Sequence, residues 1–333
     1  MNLITGAAGH LGNVLARELV RRGESVRVLV LPGEDTSSLD GLPVEKVEGN
    51  ILNPASLEKA FQGVDTVFHM AALVSLLEEH APILYRVNVE GTLNVLQAAR
   101  TCGVRRMVYT SSIHALARPP HGVPIDETLP FDTQNPAGAY DRTKAIASEA
   151  VRQAARSVLD AVIVCPTGVI GPYDFRRSEM GEMFLDWIST PVNWLIPGAF
   201  DFVDVRDVAI GHILARDLGG RSETYILGGE QISIPRLYSL VKEAIGSRIR
   251  AITLPIDVAM ALAVLAEKYY RLARRRPRFT RYSIETLLSN SAISIEKARR
   301  QLFYSPRTLA ESVRDTVAWW LENARRTRST VRI

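Results

Sequence analysis

A doubly wound parallel α/β sheet with a smaller, mostly helical C-terminal substrate domain is the architecture expected of this 333-residue chain. Three observations lead there. Short apolar runs alternate with helical stretches as far as residue 165, the pattern of parallel βαβ units. The chain opens on an apolar run, Leu3 to Thr5, that enters a glycine-spaced turn, Gly6-Ala7-Ala8-Gly9-His10-Leu11-Gly12, and then a helix from Asn13 to Arg22. From Gly171 onward the alternation lapses, as it would where a second domain begins. Residues 1–165 are therefore assigned to a dinucleotide-binding domain of Rossmann type and 166–333 to the substrate domain. The segment 202–226 is expected to return to the first, and 325–333 to form a flexible basic tail.

The opening turn sets the chemistry. Gly6 permits the tight bend, Gly9 lets backbone approach a pyrophosphate, and Gly12 lets helix and strand pack closely. Ala8, His10 and Leu11 lie in the same turn, where unpaired helix N–H groups and the helix dipole favour a phosphate. The spacing is G-x-x-G-x-x-G. A plain turn is the competing reading of such a string, and its place directly after a strand is what favours nucleotide.

The second strand runs from Ser25 to Leu31. An acidic residue at its end favours NAD and an arginine NADP; Val30 and Leu31 give neither signal, so the cofactor is NAD or NADP. Val44–Glu48 is the third strand, ending at Gly49-Asn50-Ile51, and Pro54–Phe61 is a helix with its proline early, where the missing N–H costs least. Asp65–His69 is the fourth strand. It ends in Met70-Ala71-Ala72, small enough on the whole for a ligand to come close. A helix from Pro82 to Ala99 carries Asn88, which bonds either neighbouring backbone or the cofactor.

Arg106–Tyr109 is the fifth strand and ends in Thr110-Ser111-Ser112. Ligands in such sheets sit beyond the carboxyl ends of strands, so these hydroxyls are candidates, although Ser and Thr also commonly end strands. After a Pro- and Gly-rich loop at 117–138 comes a helix bearing Tyr140-Asp141-Arg142-Thr143-Lys144. Tyr140 and Lys144 are four apart on one helical face. An ammonium beside a phenol lowers the phenol's pKa from about 10, so the pair is a candidate proton relay. Asp160–Cys165 is the sixth strand.

Together these pieces resemble the extended branch of the short-chain dehydrogenase/reductase superfamily. The resemblance rests on G-A-A-G-H-L-G at 6–12, T-S-S at 110–112, Y-D-R-T-K at 140–144, P-T-G-V-I-G-P at 166–172 and F-V-D-V-R-D-V-A at 202–209, and it covers nearly the whole chain. Within the branch the nearest groups are those of dihydroflavonol reductases, 3β-hydroxysteroid dehydrogenases and hopanoid-associated sugar-epimerase-like proteins. The resemblance implies that Tyr140 is the acid/base, that Lys144 lowers its pKa and bonds the nicotinamide ribose, and that Ser112, with Ser111 as a neighbouring candidate, holds the substrate oxygen. It further implies Asn50 and Ile51 beside the adenine, Met70, Ala71 and Ala72 behind the cofactor, Asn88 and Thr110 near it, and Pro166, Thr167 and Val169 along the nicotinamide. His114, Phe175 and Arg176 are the substrate-side candidates; a solvated loop is the alternative for the last two. Many relatives have arginine where Leu31 stands.

The function implied is hydride transfer between nicotinamide and a carbonyl or secondary alcohol of a small molecule. Two alternatives remain: a nucleotide-sugar epimerase or dehydratase with tightly held NAD, and a non-catalytic NAD(P)-sensing protein. The composition is that of a soluble globular protein, 47% hydrophobic and 23% charged. A net charge of +4, much of it in late arginines, is no nucleic-acid footprint. Two distant cysteines, Cys102 and Cys165, suggest neither metal nor disulfide, and a reducing cytoplasmic setting is expected. No signal peptide or spanning run is read. The apolar stretch at 255–276, with arginines after it, is taken as a substrate-domain helix in preference to a peripheral membrane helix. A homodimer is left open.

Overall fold

The computed structural model describes residues 1–246, 249–273 and 280–330. Its centre is a seven-stranded parallel sheet. In chain order the strands are β1 (Asn2–Thr5), β2 (Val26–Val30), β3 (Glu45–Glu48), β4 (Thr66–His69), β5 (Arg106–Thr110) and β6 (Ala161–Pro166). Later come β7 (Gly168–Ile170), β8 (Val192–Leu195), β9 (Ala199–Asp204), β10 (Thr224–Leu227), β11 (Glu230–Ser233) and β12 (Arg250–Thr253). The large sheet has the order β10-β6-β5-β4-β1-β2-β3, so the winding reverses between β1 and β4. That reversal opens a crevice at the carboxyl ends of these two strands, where ligands bind in such sheets.

The inner strands read as unbroken apolar runs because helices cover both faces. Leu3, Ile4, Val67, Phe68, Met107, Val108, Val162 and Ile163 are all fully buried. The helices are α1 (His10–Arg21), α2 (Pro54–Phe61), α3 (Ala81–Tyr85), α4 (Gly91–Thr101), α5 (Ala139–Ser157), α6 (Glu179–Ser189), α7 (Val205–Leu218) and α8 (Ile234–Ile245). After them come α9 (Ile256–Ala273), α10 (Arg281–Leu288), α11 (Glu296–Leu302) and α12 (Leu309–Thr330). One layer contains α1 against α7, and α2, α4 and α5 pack against one another in sequence.

Three features depart from the sequence reading. The helix expected at Pro82–Ala99 is α3 and α4 joined through a π-helical turn, Arg86–Glu90, which contains Asn88. Such turns re-aim a side chain within a helix. The second half also holds short strands that its irregular pattern hides: β7, β9 and β11 form one small sheet, and β8 pairs with β12. Third, 325–330 continues α12 as helical backbone, there being no Pro or Gly to stop it; the rest of the expected tail, 331–333, lies outside the described residues, as do 274–276 of the apolar stretch.

The motif at 202–209 ties the halves together. Asp204 caps α7 by accepting from Arg206 N–H at 2.8 Å, and the Arg206 guanidinium bridges Asp204 and Asp315, each at 2.7 Å. Arg307 holds Asp207 in a forked ion pair. These links pin α12 to α7, while β10 joins the main sheet beside β6.

Candidate active site

The phosphate end is built backbone against backbone. Gly6 has φ +73°, and a Cβ there would stand 2.7 Å from Ala71 N and 2.8 Å from its Cα. A Cβ on Gly12 would strike Gly6 O and come within 2.7 Å of Ala7 Cα. Gly9 is different: its Cβ would meet only Gly6 O, at 3.2 Å, so this glycine borders open space. The first turn of α1 has no acidic residue and no side-chain cap. The N–H groups of His10, Leu11 and Gly12 find no partner among the described residues. This cradle of free donors fits a dinucleotide pyrophosphate. The His10 imidazole turns away, to Pro172 O at 3.0 Å, so its backbone is the part available. Ala8 is buried and accepts from Ser38 Oγ.

A buried polar chain missed in the sequence supports this floor. Thr5 Oγ1 accepts from Met70 and Ala71 N–H, both at 3.2 Å, and contacts His69 Nδ1 at 2.7 Å; His69 Nε2 meets Thr92 Oγ1 at 3.0 Å. Burial pushes His69 down to about 3, so it is neutral and serves as a spacer. The hint was polar residues inside otherwise apolar strands.

Beyond β3, Asn50 accepts from Leu52 N–H through Oδ1, which leaves its amide nitrogen without a partner among the described residues. Ile51 is buried against Gly91, where any side chain would collide with it. Leu31 is exposed. Here the substrate-side assignment of Arg176 and Phe175 is corrected. Arg176 reaches across to the loop after β2, 2.8 Å from Glu34 and 2.9 Å from Asp35 O. Glu34 in turn caps Leu31 N–H. Phe175 packs edge-on against Trp319, beside Arg17. Both follow because Pro172 and Tyr173 are strapped onto α1 by His10 and Asn13, which carries the next residues past the glycine turn and away from Tyr140.

The catalytic candidates converge at the ends of β5 and α5. Ser112 faces the Tyr140 phenol closely enough to lower its pKa, and its Oγ also accepts from His114 N–H. Burial outweighs that pull and pushes Tyr140 up to about 12, so the phenol keeps its proton. Lys144 does not act as expected on that phenol. Its long side chain passes down to β5, donating to Tyr109 OH at 3.1 Å and to Thr110 O, with the ammonium 4.6 Å from the Tyr109 ring centre. Burial pushes this ammonium down to about 7.

Three other candidates have structural partners. Ser111 bonds Ser148 Oγ at 2.6 Å, because strand alternation turns it into α5, opposite to Ser112. The Thr110 hydroxyl is held by His212 Nε2 at 2.8 Å, so Thr110 offers its carbonyl to Lys144 and no hydroxyl to a ligand. Asn88, aimed by the π turn, bonds both the N–H and the carbonyl of Leu73 and also Thr143 Oγ1; it positions the loop beyond β4. Pro166 ends β6, Thr167 lies against Asp201, and Val169 is on β7, which pairs with β9. Met70 and Ala71 are half-buried under the glycine turn and Ala72 is exposed.

His114 stacks on Phe200 at 5.6 Å and lies 6.3 Å from Tyr282. Tyr282 OH donates to Asp141 at 2.7 Å, and Arg118 reaches both Asp141 and His114 Nδ1. Burial raises Asp141 to about 6 despite these partners, and burial with Arg118 lowers His114 to about 3. The result is an aromatic wall next to Tyr140, held from below by an ion pair. Tyr282 and Arg118 had no sequence signal, since their partners are far away along the chain. Among the described residues, no group of three or more His, Cys, Asp or Glu is placed to hold a metal.

The chain is similar to known proteins over nearly its whole length. The profile of the NAD dependent epimerase/dehydratase family matches residues 2–228. Sterol demethylase protein B of Methylococcus capsulatus is 37% identical over 324 residues, 96% of this chain and 98% of that protein. A 4-hydroxy-2-methyl-3-oxo-4-farnesyl-3,4-dihydroquinoline-1-oxide ketoreductase of Stigmatella aurantiaca is 31% identical, over 91% of each chain. Among solved structures, the Thermus thermophilus UDP-glucose 4-epimerase in complex with NAD superposes with a TM-score of 0.77 at 25% identity, covering 96% of this chain and 98% of that one. The cofactor is accordingly NAD or NADP, and the chain belongs to the NAD-dependent epimerase/dehydratase family of extended short-chain dehydrogenases/reductases.

Proposed function

We propose that this protein is an NAD(P)-dependent reductase or dehydrogenase that interconverts a carbonyl and a secondary alcohol on a largely apolar small molecule. The observation that carries the reading is a phenol, Tyr140, kept protonated by burial and faced by the Ser112 hydroxyl beside the glycine crevice. The bound nicotinamide supplies or accepts the hydride at the carbonyl carbon. Tyr140 gives its proton to the carbonyl oxygen while Ser112 donates to that same oxygen. In the reverse direction Tyr140 takes the alcohol proton. Proton transfer by a positioned group of this kind is worth roughly 10²- to 10⁴-fold.

Lys144 uses two of its three N–H donors on Tyr109 and Thr110, which fixes the ammonium at the end of β5 and leaves one donor for a cofactor hydroxyl. The aromatic wall of His114, Phe200 and Tyr282 favours an apolar carbonyl compound. Relatives named as ketoreductase and 3-beta-hydroxysteroid dehydrogenase are consistent with that class.

The test follows nicotinamide absorbance with NADH and NADPH across ketones, hydroxysteroids and nucleotide sugars. Reduction of an apolar ketone is expected, and Tyr140→Phe should lose about 10²-fold or more in turnover while binding cofactor within about twofold. The family profile and the Thermus neighbour favour a second reading, an epimerase that returns its hydride. Purified protein that retains NAD and interconverts nucleotide sugars without net redox would establish it. Ligand binding unaltered by Tyr140→Phe, with no turnover of any substrate, would point to a sensor.

A further inference from the structure

Helix α9 is built inside out. The side it buries is small, Ala259 and Ala263 at 0% exposure against Ile196 and Ile284. Its bulky residues point outward: Val258, Leu262 and Leu265 are 45%, 43% and 62% exposed. A surface helix ordinarily does the reverse, burying bulk and showing charge. Between Ile256 and Ala266 the one charged residue is Asp257, in the first turn, where the helix dipole accommodates it.

Apolar exposure recurs on the strand pair that precedes the helix. Trp194 of β8 lies directly opposite Ile252 of β12, and the two are 61% and 46% exposed. Two residues separate β12 from α9. Isolated exposed apolar side chains are normal; several bulky ones on a helix and more on the strand pair two residues before it mark an interaction site.

Charge identifies the partner. In sequence, the stretch Lys268 to Arg281 that follows these exposed residues is rich in arginine and has no acidic residue. Arg250, exposed on β12 opposite Val192, has no carboxylate partner among the described residues. Exposed aliphatics, a tryptophan and a cationic flank are what an interfacial helix presents to anionic lipid. No helix among the described residues is long and apolar enough to cross a membrane, so the contact is in the plane of the surface.

We propose that α9 and the β8–β12 pair form a docking surface for an anionic lipid bilayer. The surface also adjoins the site. Helix α10 packs on α9 through Ile284 and carries Tyr282 to Asp141. An apolar substrate leaving the bilayer would therefore meet the aromatic wall one helix away.

The full chain is sedimented with vesicles of phosphatidylcholine, alone or mixed with phosphatidylglycerol, at low and high salt. The expected result is binding to the mixed vesicles at low salt, at least about tenfold weaker to phosphatidylcholine alone and weakened by salt. The Leu262→Glu/Leu265→Glu double variant should lose about tenfold or more of that binding while retaining its circular dichroism and cofactor affinity. Brominated lipid should quench tryptophan fluorescence in the unaltered protein and quench it less in Trp194→Phe, a readout that does not depend on the double variant folding. Failure of the unaltered protein to sediment with the mixed vesicles overturns the proposal. So does a dimer, seen by light scattering, that the double variant converts to monomer.

Discussion

The crevice between β1 and β4 and the lobe around α9 are made on opposite terms. In the crevice nearly every polar side chain is buried and bonded: Thr5, His69, Thr92, Asn88 and Ser111 all have named partners within 3.2 Å. The donors left over, the N–H groups at the start of α1, are those a phosphate requires. In the lobe, bulky apolar residues of α9 and of the β8–β12 pair are turned to the outside. One region is fixed before its ligand arrives. The other leaves its apolar surface for something else to cover. The contrast shows where precision lies in this molecule: backbone and hydrogen bonds shape the cofactor site, whereas nonspecific apolar area shapes the lobe.

That contrast can be broken or sharpened by substitution. The largest effect is expected at Gly12. Its Cβ would enter Gly6 O, which is backbone and has little room to retreat. Gly12→Ala should abolish cofactor binding in a fluorescence titration and lower unfolding free energy by more than about 2 kcal/mol in urea. A fully stable Gly12→Ala protein with unchanged affinity would mean that the turn has room for a side chain at residue 12.

The next effect concerns pH. Lys144, pushed down to about 7, is charged below that pH and loses its charge above it. Tyr140, at about 12, keeps its proton throughout the accessible range. If catalysis needs the ammonium, kcat/KM for carbonyl reduction should be level below about pH 7 and then fall about tenfold per unit. Tyr109→Phe removes a hydrogen-bond acceptor of the ammonium and should move the break to lower pH. A profile that stays level to pH 9 would show that no loss of the Lys144 charge near pH 7 limits the reaction.

Arg176 gives an intermediate effect. It is the guanidinium that reaches the end of β2, where an uncharged Leu31 stands. Arg176→Ala should weaken binding of NADPH, or of 2′,5′-ADP alone, by about tenfold, against at most about twofold for NADH. Equal losses for both cofactors would show that the residue only ties two loops together.

The smallest effects belong to the lobe. Leu265→Ser, at an exposed position, should change stability by less than about 0.5 kcal/mol. Ala263→Leu, on the buried side of the same helix, should cost about 1–3 kcal/mol by overpacking. Denaturant melts of the two variants measure directly whether α9 has the inverted faces described.

Local sequence already contained much of this protein. Period and punctuation give β1 to β6, α1 and α2 to within a few residues and place α5, because apolar spacing, glycine and proline are local signals even where a strand's bonding partner is distant. The glycine turn and the Tyr140 and Lys144 pair were equally legible, since both are relations between residues a few positions apart. What the chain alone did not decide depended on distant partners. Only the fold turns Ser112 to Tyr140 and Ser111 to Ser148, draws Lys144 toward Tyr109, and carries Arg176 to the loop after β2. The apolar stretch after Pro255 had the composition of a buried helix. Which of its faces meets protein depends on what packs there, and in the tertiary structure the packed side is the alanine side.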